Sequence, residues 1–315
     1  MKIVFMGTPD FSVPILEAVH NKYGVDLVVT QPDKLVGRKK VLTFSPVKEK
    51  AMELEIPCFQ PRSIKSDFDK VLEMEPDIII TAAYGQLIPN EVIDYPKFGC
   101  INVHGSLLPL LRGGAPIQRA IERGHKTTGI TIMYMAEEMD SGDIIKQESI
   151  DILETDNSGI LFSKLSILGT KLLLETLPSI FDGTNERIVQ ELDKVTYGFN
   201  LKREEEKIDW NMTCVDIERK LRAFSPGPYL YTTIDGKSLK VFDIEIHSCE
   251  GYESNQHNFT NGEITKLFPD SIAVKAKNGI IKIKEVQLAG KQRQTVKVFL
   301  NGAGRNLIKV NKIFK

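Results

Sequence analysis

The chain has 315 residues, 42% hydrophobic and 26% charged, with a formal net charge of −1. This profile suits a globular protein of two domains and excludes a fibrous or low-complexity chain. Four scattered cysteines (Cys58, Cys100, Cys214, Cys249) without a C-x-x-C pair point to neither a metal site nor a disulfide frame. No apolar run reaches membrane-spanning length, and the five-residue run Ile3 to Gly7 is too short for a secretory leader, so the expected location is cytoplasmic.

The first 180 or so residues alternate strand and helix patterns. Strand-like apolar runs fall at Lys2–Met6, Val25–Thr30, Asp77–Ala82, Cys100–Val103 and Thr128–Tyr134. Helical patterns lie between them at Val13–Asn21, Pro46–Leu54, Phe68–Glu73 and Ala115–Arg123, and a long amphipathic run, Ile160 to Leu177, is expected to end at Pro178. This alternation predicts an α/β domain, a Rossmann-like mostly parallel sheet covered by helices. Residues 187–207 are polar and charged and read as a linker between a domain over 1–186 and one over 208–315. A helix is expected over Val215–Phe224, followed by short strands with hairpin turns at Asp235-Gly236 and Asn278-Gly279, so the second domain reads as a small antiparallel barrel or sandwich.

Charge is unevenly distributed. From Lys275 onward there are eleven Lys or Arg against one acid, Glu285. With Asn278-Gly279 as the turn, Lys275 faces Lys282 across the ladder, and Lys275, Lys277, Lys282 and Lys284 share one face. Like charges in that arrangement repel, and an anionic partner such as a nucleic-acid backbone would explain them. An unpartnered solvated face is the simpler alternative.

The chemistry centres on Cys100-Ile101-Asn102-Val103-His104-Gly105-Ser106-Leu107-Leu108-Pro109. In a strand Asn102 and His104 point to the same face, and Gly105 lets the chain turn away at the carboxyl end. N-x-H alone also reads as a polar strand end with a satisfied histidine. Arg112-Gly113-Gly114-Ala115-Pro116 follows, its glycines permitting close approach of another chain or a ligand. Met139-Asp140-Ser141-Gly142-Asp143 reads as a turn, and Asp140 there is either turn chemistry or a partner for His104. Asn102, His104 and Asp140 together would form an acid–base and oxyanion group suited to direct acyl transfer. There is no G-x-S-x-G nucleophile.

With these motifs in place, the chain resembles the methionyl-tRNA formyltransferase family among the folate-dependent formyltransferases. The resemblance rests on Met6–Phe11 (MGTPDF), Thr30–Asp33 (TQPD), Ala82–Gln86 (AAYGQ), Asn102–Pro109 (NVHGSLLP), Arg112–Ile121 (RGGAPIQRAI), Met139–Ile144 (MDSGDI) and Ile208–Trp210 (IDW). It implies formyl transfer from 10-formyltetrahydrofolate to the amine of methionyl-initiator tRNA, with Asn102, His104 and Asp140 catalytic and Ser106, Leu107, Leu108 and Pro109 forming the folate turn. It also implies that Arg38, Lys39 and Lys40, in an inserted loop over Gln31–Pro46, meet tRNA together with the lysine face of an oligonucleotide-binding-type barrel. A single chain carrying both surfaces is expected to act as a monomer without metal. The competing readings are a sugar-nucleotide N-formyltransferase, hydrolysis of the folate formyl group, and a non-catalytic RNA-binding factor.

Overall fold

The computed structural model of the protein describes residues 1–37, 40–248 and 259–315. Their contacts divide into two units: Met1–Ile117, Lys126–Leu153 and Ile160–Asn200 in the first, and Gln118–His125, Glu154–Gly159 and Leu201–Lys315 in the second.

In chain order the first part of the sequence forms β1 (Ile3–Gly7), α1 (Val13–Tyr23), β2 (Leu27–Val29), a hairpin of β3 (Lys34–Val36) and β4 (Val41–Thr43), α2 (Pro46–Glu53), β5 (Cys58–Phe59) and α3 (Asp69–Leu72). It continues with β6 (Ile78–Ala82), α4 (Asn90–Ile93), β7 (Cys100–His104), α5 (Pro116–Glu122), β8 (Thr127–Tyr134), β9 (Ile144–Asp151) and α6 (Ser158–Asp182). Seven of these strands make one sheet in the order β5-β2-β1-β6-β7-β8-β9. The first five run parallel, β8 is antiparallel to β7, and β9 is antiparallel to β8. β1 and β6 are buried along their whole length, as continuous apolar runs covered on both faces should be. From β1 the chain moves outward through β2 to β5, then returns to β6 and β7 on the other side. The carboxyl ends of β1 and β6 therefore mark the topological switch point, where open α/β sheets hold their ligands.

Several features depart from expectation, among them the β3–β4 hairpin within the expected loop and the short strand β5. β9 was not anticipated: Ile144–Asp151 is an edge strand, buried at its start and increasingly exposed along its length, so its apolar signal is weak. α6 runs through Pro178 to Asp182, because Leu172, Leu173, Leu177 and Ile180 are all buried and their packing outweighs one lost helical hydrogen bond. The stretch 187–200 belongs to the first unit. Ile188 exchanges two 2.8 Å backbone hydrogen bonds with Ile144. The amide of Arg112 donates to the Thr196 carbonyl, and the amide of Gly198 donates to the Arg112 carbonyl. The glycines of the RGG motif serve this packing: a Cβ on Gly113 would lie 2.9 Å from the Gly198 carbonyl oxygen.

The second unit contains α7 (Cys214–Ala223), β10 (Leu230–Ile234), β11 (Lys237–Ser248), β12 (Ile264–Leu267), β13 (Ile272–Ala276), β14 (Gly279–Leu288), β15 (Gln294–Thr295) and α8 (Val296–Asn301). The sheet is antiparallel, ordered β10-β11-β14-β13-β12 with β15 beside β14. The expected turn at Asp235-Gly236 forms, both residues taking the positive φ that a type I′ hairpin needs. The outer strands β10 and β12 are each bonded to the C-terminal tail: Thr233 exchanges hydrogen bonds with Lys315, and Ile264 with Asn311 and Lys312. Phe314 in that tail is buried and stacks on Trp210, ring centroids 6.0 Å apart.

Because Trp210 is the one tryptophan of the chain, its fluorescence reports unfolding of this unit. Phe314→Ala is expected to destabilise it by about 3–5 kcal/mol in urea titrations followed at that signal.

Candidate active site at the end of strand β7

Asn102 and His104 project to one side of β7, where it pairs with β6 in parallel and β8 in antiparallel register. Thr81, the partner of Asn102 on β6, has its Oγ1 2.9 Å from Asn102 Oδ1, 3.0 Å from the Ile101 carbonyl and 3.4 Å from Met135 Sδ, three acceptors within reach of one hydroxyl proton. With Oδ1 facing Thr81, the Asn102 Nδ2 is left without a hydrogen-bond partner among the described residues. His104 is buried. Its Nε2 lies 3.3 Å from the Leu111 carbonyl, and its Nδ1 lies 3.6 Å from Asp140 Oδ1. Both ring nitrogens thus face oxygen acceptors. The neutral ring can donate to one of them and the protonated ring to both, so the Asp140 carboxylate favours the cation.

Asp140 has φ +52, in the left-handed region, and its Oδ2 accepts a 2.8 Å hydrogen bond from the Gly113 amide. The three residues expected from the sequence to form one group are therefore brought together, although the MDSGD turn reaches His104 from beyond the end of β8.

The Ser106–Pro109 turn is held from beneath by Thr131, the cross-strand neighbour of His104. The Thr131 hydroxyl donates to the Ser106 carbonyl at 2.6 Å and accepts from the Leu108 amide at 3.1 Å, while Gln147 Nε2 donates to the Leu108 carbonyl at 2.9 Å. Leu107 and Pro109 remain partly exposed, and Leu108 packs on Met133 and Ile144. Thr81, Thr131 and Gln147 carried no motif in the sequence; only their strand registers reveal them.

The basic residues behave differently from expectation. Arg38 and Lys39 lie outside the described residues, and Lys40 sits between the exposed strands β3 and β4 with φ +48. In the second unit the turn is Lys277-Asn278, because Ala276 pairs with Gly279, Lys275 with Ile280 and Lys282 with Ala273. Asn278 accepts a hydrogen bond from the Cys214 amide at 2.9 Å, which fixes this register by capping α7. The register differs by two from the expected one, so Lys275, Lys282 and Lys284 keep a common face but no lysine stands opposite another. Lys277 leaves the ladder for the turn. The ammonium groups are also engaged. Lys284 pairs with Glu245 at 3.2 Å and Asp270 at 3.3 Å, Lys282 lies 3.7 Å from Glu245, and Lys275 donates to the Ala276 carbonyl. Hydrogen bonding to Glu245 holds Lys284 above the usual lysine range, and the same contact holds Glu245 below the usual carboxylate range. The repulsion that called for an external anion on this face is met within the protein. Among the described residues no three His, Cys, Asp or Glu side chains gather as a metal site.

A mostly parallel sheet with an Asn-x-His strand end and a carboxylate 3.6 Å from the histidine suits acyl transfer. The chain belongs to the formyl transferase family: residues 1–177 match the formyl transferase domain and residues 200–304 its C-terminal domain. Within the family it groups with proteins named methionyl-tRNA formyltransferase. It is 45% identical to the one from Macrococcus caseolyticus over 98% of this chain and 97% of that one, and 47% identical to the one from Bacillus licheniformis over 96% and 95%. Among solved structures, an N-formyltransferase from Helicobacter canadensis in complex with folinic acid and dTDP-3-aminofucose shares the fold at a TM-score of 0.67 and 18% identity, over 90% of this chain and 98% of that one. HypX from Aquifex aeolicus, in complex with tetrahydrofolic acid, shares it at 0.63 and 16%, this chain covering 50% of HypX.

Thr81→Val keeps the shape of the side chain and removes the group that orients Asn102. It is expected to lower kcat about 10-fold with little change in thermal stability, read by steady-state kinetics beside a melting curve.

Proposed function

We propose that the protein transfers the formyl group of 10-formyltetrahydrofolate to the free amine of methionyl-initiator tRNA. The observation that carries the chemistry is the Asn102–His104 pair on one face of β7 with Asp140 3.6 Å from the ring. The nature of the acceptor rests on near-full-length identity to proteins of that name. In this reading the amine nitrogen attacks the formyl carbon directly, forming the new C–N bond. Asn102 Nδ2 donates to the formyl oxygen as it becomes negative. His104 takes the proton lost by the amine, the Asp140 carboxylate beside Nδ1 stabilises the imidazolium, and a proton then passes to the departing N10 of the folate as its bond to carbon breaks. The Ser106–Pro109 turn, braced by Thr131 and Gln147, offers the partly exposed Leu107 and Pro109 to the folate.

For the RNA, the exposed β3–β4 hairpin is the better candidate surface, since Leu35, Val36, Val41 and Leu42 all lie open on it next to Lys40. The lysine face of the second unit contributes less than its sequence implies, its charge being largely met by Glu245 and Asp270. We further read the protein as a cytoplasmic monomer, because one chain supplies both folate and tRNA surfaces. Among the described residues no helix is long and apolar enough to cross a membrane.

The test is incubation with 10-formyltetrahydrofolate and initiator tRNA charged with labelled methionine, followed by detection of formylmethionine. Tight tRNA binding without product would point to a non-catalytic RNA-binding factor. Formylation of an amino-sugar nucleotide in place of the tRNA would point to the sugar enzymes. Asn102→Ala is expected to cost about 10²-fold or more in kcat, and His104→Ala on the order of 10²–10⁴-fold. Lys282→Ala and Lys284→Ala should leave the KM for tRNA within about twofold of the parent, as expected of substitutions that remove an already compensated charge.

A further inference from the structure

Gln190 lies in the segment that returns to the first unit after α6, and its side chain is buried. Every hydrogen-bonding atom of its amide is placed. Nε2 donates to the carbonyl oxygens of Asp140 and Gly142, both at 2.8 Å. Oε1 accepts from Nε and Nη2 of the buried Arg112, at 3.1 and 2.9 Å. The orientation is set by chemistry, since a guanidinium can only donate and a carbonyl can only accept.

These partners flank His104 on both sides. Arg112 follows Leu111, whose carbonyl faces His104 Nε2, and precedes Gly113, whose amide holds Asp140 Oδ2. Asp140 and Gly142 belong to the turn that presents the carboxylate to Nδ1. At φ +52 Asp140 occupies a conformation that a non-glycine residue keeps only when its surroundings impose it. Gln190 ties two carbonyls of this turn to Arg112, and the Gly113 amide holds its carboxylate. The backbone bonds of Ile188 to Ile144, and of Thr196 and Gly198 to Arg112, fix Gln190 from either side in sequence.

We propose that Gln190 is a positioning residue for Asp140, holding its carboxylate against His104 by bonding the Asp140–Gly142 turn to Arg112. This rests on the catalytic role given to Asp140 above. Gln190 touches neither His104 nor substrate; it acts through the turn.

The test is a double-mutant cycle on formyl transfer to methionyl-tRNA. Gln190→Glu keeps an acceptor for Arg112 but turns an oxygen toward the two carbonyls. Gln190→Met, of the same length and uncharged, removes both interactions and serves as the second variant should the first fail to fold. We expect either substitution to lower kcat on the order of 10- to 100-fold while the KM for the formyl donor stays within about twofold. In an Asp140→Asn background the same substitution should lower kcat by less than about twofold further, because the carboxylate it positions is already gone. A near-parental kcat for a folded Gln190 variant, or an equal loss in both backgrounds, would overturn the proposal and leave Gln190 as a structural brace. If Asp140→Asn alone retained full activity, the failure would lie in the catalytic reading of Asp140.

Discussion

A β-strand shows every second side chain to the same face, and β7 ends with an asparagine and a histidine at that spacing. The site depends on this constraint. It sets an amide donor and a proton acceptor two residues apart on a rigid, buried ladder, hydrogen-bonded to β6 on one side and β8 on the other. What the strand cannot supply is the carboxylate. Asp140 arrives from a turn outside the ladder, in a backbone conformation that has to be held, and much of the local hydrogen bonding goes to holding it. The site is therefore part rigid strand and part imposed turn, and it is the turn that needs support.

The two units carry different burdens. In the first, the buried parallel strands leave their carboxyl ends at the switch point, and Thr81 at the end of β6 orients Asn102 from the neighbouring strand. The second unit is built on an antiparallel sheet whose outer strands both bond to the C-terminal tail. Its basic residues are less available than their number suggests. Ion pairs to Glu245 and Asp270 engage two of them, Lys282 and Lys284. Charge counted along a chain overstates a field whenever the opposite charges come from strands distant in sequence, as Glu245 does here from β11.

The parts of this architecture that were legible in the sequence are those governed by local rules. β1, β6 and β7 announce themselves as short continuous apolar runs, and the Asp235-Gly236 hairpin as a turn that only positive φ satisfies. The Asn102–His104 pairing follows from strand periodicity alone. Asp140 was a candidate by composition of its turn, and only the resemblance to known formyltransferases gave it weight. Features set by tertiary packing were not legible. Pro178 sits inside α6 because its buried neighbours keep the helix going. The β13–β14 register moves because Asn278 is drawn to α7. Gln190 falls in a polar stretch that reads as linker, since nothing in its neighbourhood reveals a partner 78 residues away at Arg112.

In the proposed reaction the formyl group is received between Asn102 and His104. The most direct measurement is a crystal structure of the protein with a stable 10-formyl folate analogue. The formyl oxygen is expected within about 3 Å of Asn102 Nδ2, with the formyl carbon on the His104 side of β7 and the folate against the Ser106–Pro109 turn. A formyl group bound elsewhere, with the Asn102 amide unengaged, would contradict it.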